Sequence, residues 1–337
     1  MTLPFGKIPI DILKEIVFNN LGVKREEVTL GPSVGLDGAV IEIGDKSLVV
    51  SMDPLTGATE RLGLLAVNIN ANDIATFGVK PSFFSSCILL PKNSDKKTIE
   101  TICSQIDEAA RDLGMAVTGG HCEVTPRLEN PIVVGCAMGV ADKGSYVTAA
   151  EARPKDKLIM TKSAGMEGTA ILASDKEEKV KEKIRGSVLN QAKGFFSQIS
   201  IVREAIIAFQ TGGVNAMHDP TEGGVFGGIH EMADASSLGV RILEENISIR
   251  LETIRICKLF QIDPLQLVSS GALLISAKPA AANKIIERIR SHSVQASVIG
   301  EFTDDPNERL IRRKDGRLQN VPRPSSDHLW RALLQDD

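Results

Sequence analysis

What this 337-residue sequence lacks narrows its chemistry before any motif is considered. Its five cysteines, Cys87, Cys103, Cys122, Cys136 and Cys257, include no C-x-x-C pair, which argues against a disulfide framework and against a structural zinc knuckle. There is no basic surplus. The formal charge is -4, so nothing electrostatic favours nucleic acid or an anionic membrane as a partner. The longest apolar runs, such as "ALLISA" near residue 274, fall far short of the ~20 residues that span a bilayer. The start, "MTLPFGKIPIDILKEI", has an acid among its apolar residues and no small-residue cleavage pattern, so no signal peptide is expected and a cytoplasmic location is. A Walker A sequence is missing too, so any nucleotide site is not of the P-loop kind.

What is present is the composition of a soluble globular protein, 42% hydrophobic and 24% charged. The length suggests two domains of about 150 residues, and the chain divides near residue 152, into 1–152 and 153–337. In the first part, "DGAVIEIGDKSLVVSMDP" reads as a hairpin about Gly44-Asp45. Leu62, Leu65, Ala66, Ile69 and Ile74 then keep helical spacing up to Gly78, and a second helix runs from about Thr98 to Leu113. "AVTGG" and "PIVVGCAMGVA" read as strands of a buried sheet, which makes the order strand, strand, helix, helix, strand, strand and the fold class α+β. From "ARPKDKLIMTK" onward helices and strands alternate more regularly, and the tail "RPSSDHLWRALLQDD" carries the only tryptophan in a short closing helix.

The chemistry is concentrated in acids at the ends of elements. Asp37 precedes the hairpin, Asp53 follows its second strand, and Asp73 lies beside Asn72 inside the first helix. Carboxylates converging from several loops suit a hard cation such as Mg²⁺. Singly, each Asp would serve equally as a cap or a turn former. Asp73 is different, because an Asn-Asp pair in the middle of an apolar helical pattern needs a reason to be there. In "MHDPTEGG", Asp219, Thr221 and Glu222 stand where a strand gives way to a helix. Free amides near Gly223 could take phosphate oxygens there, or the stretch could simply cap the helix. "KSAGMEGTAI" is equally open: Gly165, Gly168 and Thr169 cradle an anion or turn the chain, and Lys162 before them is either a phosphate contact or an exposed strand-end lysine. "TGGHCEVTP" gathers Gly119, Gly120, His121, Cys122 and Glu123. Adjacent His121 and Cys122 would face opposite sides of an extended segment, so one zinc ion could not readily hold both.

"GLDGAV", "SMDPLTG", "AVNINANDIATFG", "VTGGHCEVTP", "MHDPTEGG" and "VSSGALLIS" stand in the order found in the aminoimidazole ribonucleotide (AIR) synthetase superfamily, and the chain resembles it over nearly its whole length. That superfamily includes thiamine-monophosphate kinase, selenophosphate synthetase and the hydrogenase maturation factor HypE. The resemblance implies a PurM-like homodimer whose N-terminal sheets pair into a barrel, each backed by a C-terminal α/β domain, with ATP and several Mg²⁺ ions between domains. It further implies that Asp37, Asp53, Asp73, Asp219 and Glu222 hold metal, with Asp73 and Asp219 central to catalysis, and that Thr221 helps to hold the nucleotide; Asn72, Gly119, Gly120, Lys162 and Gly223 are the further candidates for nucleotide contact. The family's acid after the paired glycines falls on His121 here, and Glu123, facing the same side, would substitute for it.

Within the superfamily the pattern is closest to the AIR synthase-related, HypE-like branch. The chain ends "LLQDD" with its last cysteine at 257, residues 1–30 hold no cysteine, and "SMDPLTGAT" lacks the lysine of the ribonucleotide synthetase loop. The expected activity is the shared one, in which ATP phosphorylates or otherwise activates an oxygen of a small substrate. Two alternatives stand beside it: a catalytically silent nucleotide-binding partner or regulatory module, and a divergent phosphoribosylformylglycinamidine cyclo-ligase.

Overall fold

The computed structural model describes residues 3, 5–56 and 60–335 of the chain. Residues 57–59 of the "SMDPLTGAT" loop, the final 336–337, and residues 1, 2 and 4 of the N-terminal stretch lie outside them. Two sheets organise the rest. The first is built from β1 (Val28–Leu30), β2 (Ala39–Ile43), β3 (Lys46–Leu55), β4 (Pro81–Leu90), β5 (Ala116–Val124) and β6 (Ile132–Asp142), in the order β1-β2-β3-β6-β4-β5. All neighbours run antiparallel except β4 and β5. Helices α1 (Leu62–Thr76) and α2 (Lys96–Leu113) pack on each other, and α1 lies on β3 and β6. The strands alternate accordingly: Ser47, Val49 and Ser51 of β3 are buried under the helix, whereas Met52 on the other face is 63% exposed.

Two expectations need correction. β4 and the short β1 depart from the expected order: "PSFFSSCILL" opens on a proline and carries three serines where a clean apolar strand would not, and from β1 onward the order is strand, strand, strand, helix, strand, helix, strand, strand. Nor is β5 a buried strand. It is the sheet edge, and every one of its residues is exposed in the single chain. The sheet is open and forms no closed barrel by itself.

The second sheet has the order β13-β12-β9-β11-β7-β10-β8, from β7 (Lys157–Thr161), β8 (Val214–His218), β9 (Gly239–Leu243), β10 (Leu274–Ala277), β11 (Ala296–Thr303), β12 (Arg309–Arg312) and β13 (Leu318–Asn320). It is mixed, with only β9 and β12 parallel among its pairs. Four of its helices matter below or flank it: α3 (Met166–Asp175), α4 (Val202–Thr211), α5 (Gly224–Ala235) and α6 (Pro279–Arg290). No helix among the described residues is long and apolar enough to cross a membrane.

α1 joins the two halves. It is buried on nearly all sides, so each polar side chain within it must find a partner. Asn68 and Asn70 return to the carbonyls of Leu64 and Ala66, and Thr76 to that of Asp73. Asn72 reaches across to the second half, donating to the Ile199 carbonyl at 3.0 Å and accepting from the Ile201 amide at 2.8 Å.

Candidate functional site: an acid pocket between the halves

A cavity of about 780 Å³ opens where the loop before β2, the end of β8, the start of α5 and an N-terminal arm meet. Asp37, Asp53, Asp73, Thr221, Glu222 and Gly223 all line it, alongside Lys7, His218 and Glu231. Four aspartates come together from four places in the fold: Asp37 from the loop before β2, Asp53 from β3, Asp73 from α1 and Asp219 from the turn after β8. Asp53 is set by its own backbone: its amide donates to Asn70 Oδ1 at 2.8 Å, and Asn70 Nδ2 donates back to its carbonyl. Asp73, one turn further along α1, accepts from Ser51 Oγ at 2.6 Å. The Asn-Asp pair in mid-helix therefore has two separate uses, one in joining the halves and one in the pocket.

Asp219 follows the last residue of β8 and is fully buried, yet neither carboxylate oxygen has a hydrogen-bond partner. Burial, with Asp37 close by, pushes its carboxyl up to about 8. Burial also raises Asp73 well above the ordinary carboxylate range, helped by the charges of Asp53, Asp219 and Asp37, and raises Asp53. An orphaned buried carboxylate among desolvated acids is costly unless a cation joins it. Oxygen donors of this kind fit a hard divalent ion such as Mg²⁺. One ligand atom each from Asp37, His218 and Asp219 lie within 4.8 Å of one another.

His218 itself is already engaged. It is 1% exposed, with Nδ1 2.7 Å from Asp37 Oδ2 and Nε2 2.8 Å from Glu231 Oε2. Two carboxylate acceptors require two N–H donors, so this is an imidazolium; burial pulls its pKa down, but Asp37 and Glu231 hold it well above the ordinary value. Glu231 Oε1 meets Lys7 Nζ at 3.3 Å, and burial notwithstanding, Lys7 and His218 keep its carboxyl well below the usual range.

The other sequence candidates divide. The Gly223 amide is not free for phosphate: it donates to buried Asp327 Oδ2 at 2.7 Å, and α5 begins at Gly224, two residues later than Glu222. Lys162 is a phosphate contact on neither geometry nor exposure, since its ammonium is buried against Glu204 at 2.7 Å and donates to the carbonyls of Gln198 and Ser200. Asn72 is likewise spent on the 199–201 segment rather than facing the cavity. Gly119, Gly120, His121 and Glu123 are on β5, away from the pocket within one chain. His121 and Glu123 do share a side, as their spacing requires, and bond to each other at 3.2 Å in the open. Gly120 (φ +149°) answers to the neighbouring strand: a Cβ there would lie 1.8 Å from the Ser86 carbonyl oxygen. Cys122 is exposed with the rest of the edge.

Sequence reading overlooked Lys7, His218, Glu231 and Asp327. His218 sits within the "MHDPTEGG" motif, from which only Asp219, Thr221, Glu222 and Gly223 stand out as site residues; the strand ends at His218, and the turn at Asp219-Pro220 lets both reach one site. Lys7 had a faint signal in "FGKIP", and Glu231 had none.

Residues 35–141 match the family model "AIR synthase related protein, N-terminal domain", and residues 153–313 the corresponding C-terminal domain. The chain is 28% identical over 334 residues, 97% of each chain, to a Methanocaldococcus jannaschii protein described as a hydrogenase expression/formation protein. It is 25% identical over 282 residues to the carbamoyl dehydratase HypE of Rhizobium leguminosarum bv. viciae, covering 81% of this chain and 78% of that one. A crystal structure of hydrogenase maturation protein HypE in complex with ATP superposes with a TM-score of 0.71 at 18% identity, covering 98% of both chains.

Proposed function

Because this chain belongs to the AIR synthase related family in both of its matched regions, we propose that it is an ATP- and Mg²⁺-dependent enzyme that phosphorylates or otherwise activates an oxygen of a small substrate. One observation carries the reading: Asp37, Asp53 and Asp73 line one pocket, and Asp219, whose two oxygens are buried and unpartnered, lies directly behind it within 4.8 Å of Asp37. Asp37, Asp53, Asp73 and Asp219 would hold Mg²⁺, with Glu222 and Thr221 at the rim. The bound ion would neutralise triphosphate charge and the charge spread over the transferred group.

The protein's own part is positioning. Ser51 and Asn70 fix Asp73 and Asp53, while His218 fixes Asp37, so the acids are preorganised rather than gathered by the ligand. Lys7 adds a fixed positive charge to the same cavity. In a phosphoryl transfer the bond from the γ-phosphorus to its bridging oxygen breaks, a new bond to the acceptor oxygen forms, and ADP leaves. Similarity to a carbamoyl dehydratase supports the class, since removing water from a carboxamide also needs its oxygen turned into a leaving group. We divide the enzyme at residue 152 and take its working form to be a cytoplasmic homodimer. The open first sheet supports that, with Met52, Phe83, Val117 and Val140 exposed on it, as does an unpaired β5 edge.

The test is ADP release from Mg-ATP in the presence of fractionated small metabolites. A fraction that raises release in the wild type, but not in Asp219→Asn, is expected. Tight nucleotide binding with no fraction raising ADP would convert the reading to a nucleotide-binding regulatory module.

A further inference from the structure

The N-terminal arm enters the pocket at its cationic end. The Lys7 amide donates to Glu222 Oε2 at 2.8 Å, and its ammonium meets Thr221 Oγ1 and Glu231 Oε1, each at 3.3 Å. Glu231 divides its two oxygens between the two cations, Oε1 to Lys7 and Oε2 to His218. The loop carrying Asp37 is seated on the same residue: a Cβ at Gly35 (φ +74°) would lie 2.7 Å from the Glu231 carbonyl oxygen. The arm, the loop before β2, the end of β8 and helix α5 thus all meet at Glu231. The other lining cation, Arg323, is turned to Asp234 at 2.9 Å. Lys7 donates two of its three N–H bonds to protein, leaving a third uncommitted among the described residues.

The geometry points to Glu231 as a positioning residue that fixes the Lys7 ammonium and the His218 imidazole beside the acid cluster, so that Lys7 presents its free donor to a phosphate oxygen of the metal-bound nucleotide. This rests on the nucleotide reading above. Glu231 does not touch the ligand; it acts through Lys7. Both of its oxygens are already engaged, one by Lys7 and one by His218, so it is not available to a metal, whereas both oxygens of Asp219 are unpartnered. The pocket therefore has an end that takes a divalent ion and an end that takes an anion, which is the polarity of a metal-phosphate ligand.

The experiment is a calorimetric titration of the full chain with the β,γ-methylene analogue of ATP at saturating Mg²⁺, for wild type, Glu231→Gln, Lys7→Met and the double variant. Each single variant is expected to bind about tenfold more weakly, and the double variant no more weakly than the worse single one, because one residue acts through the other. Titrated with Mg²⁺ alone, Lys7→Met should bind at least as tightly as wild type, because it removes a positive charge and no contact to a metal-binding acid, which a general collapse of the pocket would not allow. Unchanged analogue binding by Glu231→Gln, or single losses that multiply in the double variant, overturns the assignment. Should Glu231→Gln fail to fold, Lys7→Met alone decides, and wild-type affinity in that variant overturns it. A wild-type chain that binds no analogue at all instead sinks the nucleotide reading.

Discussion

Two stretches of this chain pair a histidine with an acid near two glycines, and they end in opposite surroundings. In His218-Asp219 the histidine is 1% exposed and the aspartate fully buried. In Gly119-Gly120-His121 the histidine and Glu123 stand on the open edge of a sheet, bonded to each other. The residue types are alike, so composition did not decide their fates; convergence did. Around Asp219 a loop, a strand end and a buried helix bring further carboxylates together, and burial raises their pKa values until a cation is wanted. Around Glu123 solvent screens the charge, and its partners Thr125 and His121 lower its pKa instead.

The sharpest way to break this comparison is to remove a buried acid. Asp219→Asn is expected to weaken Mg²⁺-dependent binding of an ATP analogue by about 100-fold or more, at least the cost of losing a supporting partner of a metal ligand. Next in size is Asn72→Ala. It strands the Ile199 carbonyl and the Ile201 amide in the core, at a cost of about 3 kcal/mol in chemical denaturation. Yet because Asn72 faces the second half and not the cavity, the folded variant should still bind nucleotide; a selective loss of binding without loss of stability would return Asn72 to the site.

A third prediction concerns pH. The raised carboxyls of Asp219 and Asp73 mean that the metal-free folded state holds protons which the unfolded chain gives up near 4. Stability without metal is therefore greatest at low pH as far as these groups are concerned, and falls as pH rises from about 4 to about 8. Mg²⁺ should flatten that decline in thermal melts, and at 100 times its Kd add about 2.7 kcal/mol. A metal-free profile that rises over this window by virtue of Asp219, judged against Asp219→Asn, would contradict the assignment. Smallest of all, His121→Ala and Glu123→Gln should each leave the melting temperature within about 2 °C. If either weakens Mg²⁺ binding only at concentrations where copies associate, β5 serves the pocket of a second chain.

Much of this was legible in the sequence because the signals are local. The hairpin at Gly44-Asp45, the helix ending before Gly78 and the helix stopped by Gly114 follow from turn chemistry and period. Asp73 stood out because its setting violated helix propensity, and such violations concentrate at sites. The illegible parts are long-range. Glu231 is an ordinary helix glutamate until Lys7, 224 positions earlier, folds onto it. Lys162 and Asn72 look like site residues from their neighbours, but both are spent holding the 198–201 segment, a contact no spacing announces. β5 reads as buried because its apolar residues do not say that it is an edge.

The central claim is that the buried acids between the two halves bind a metal-nucleotide. It is tested most directly by calorimetric titration of a non-hydrolysable ATP analogue, with and without Mg²⁺, into wild type, Asp73→Asn and Asp219→Asn. The account predicts Mg²⁺-dependent binding in the wild type and its loss in both variants. Equal, Mg²⁺-dependent binding in all three would contradict it.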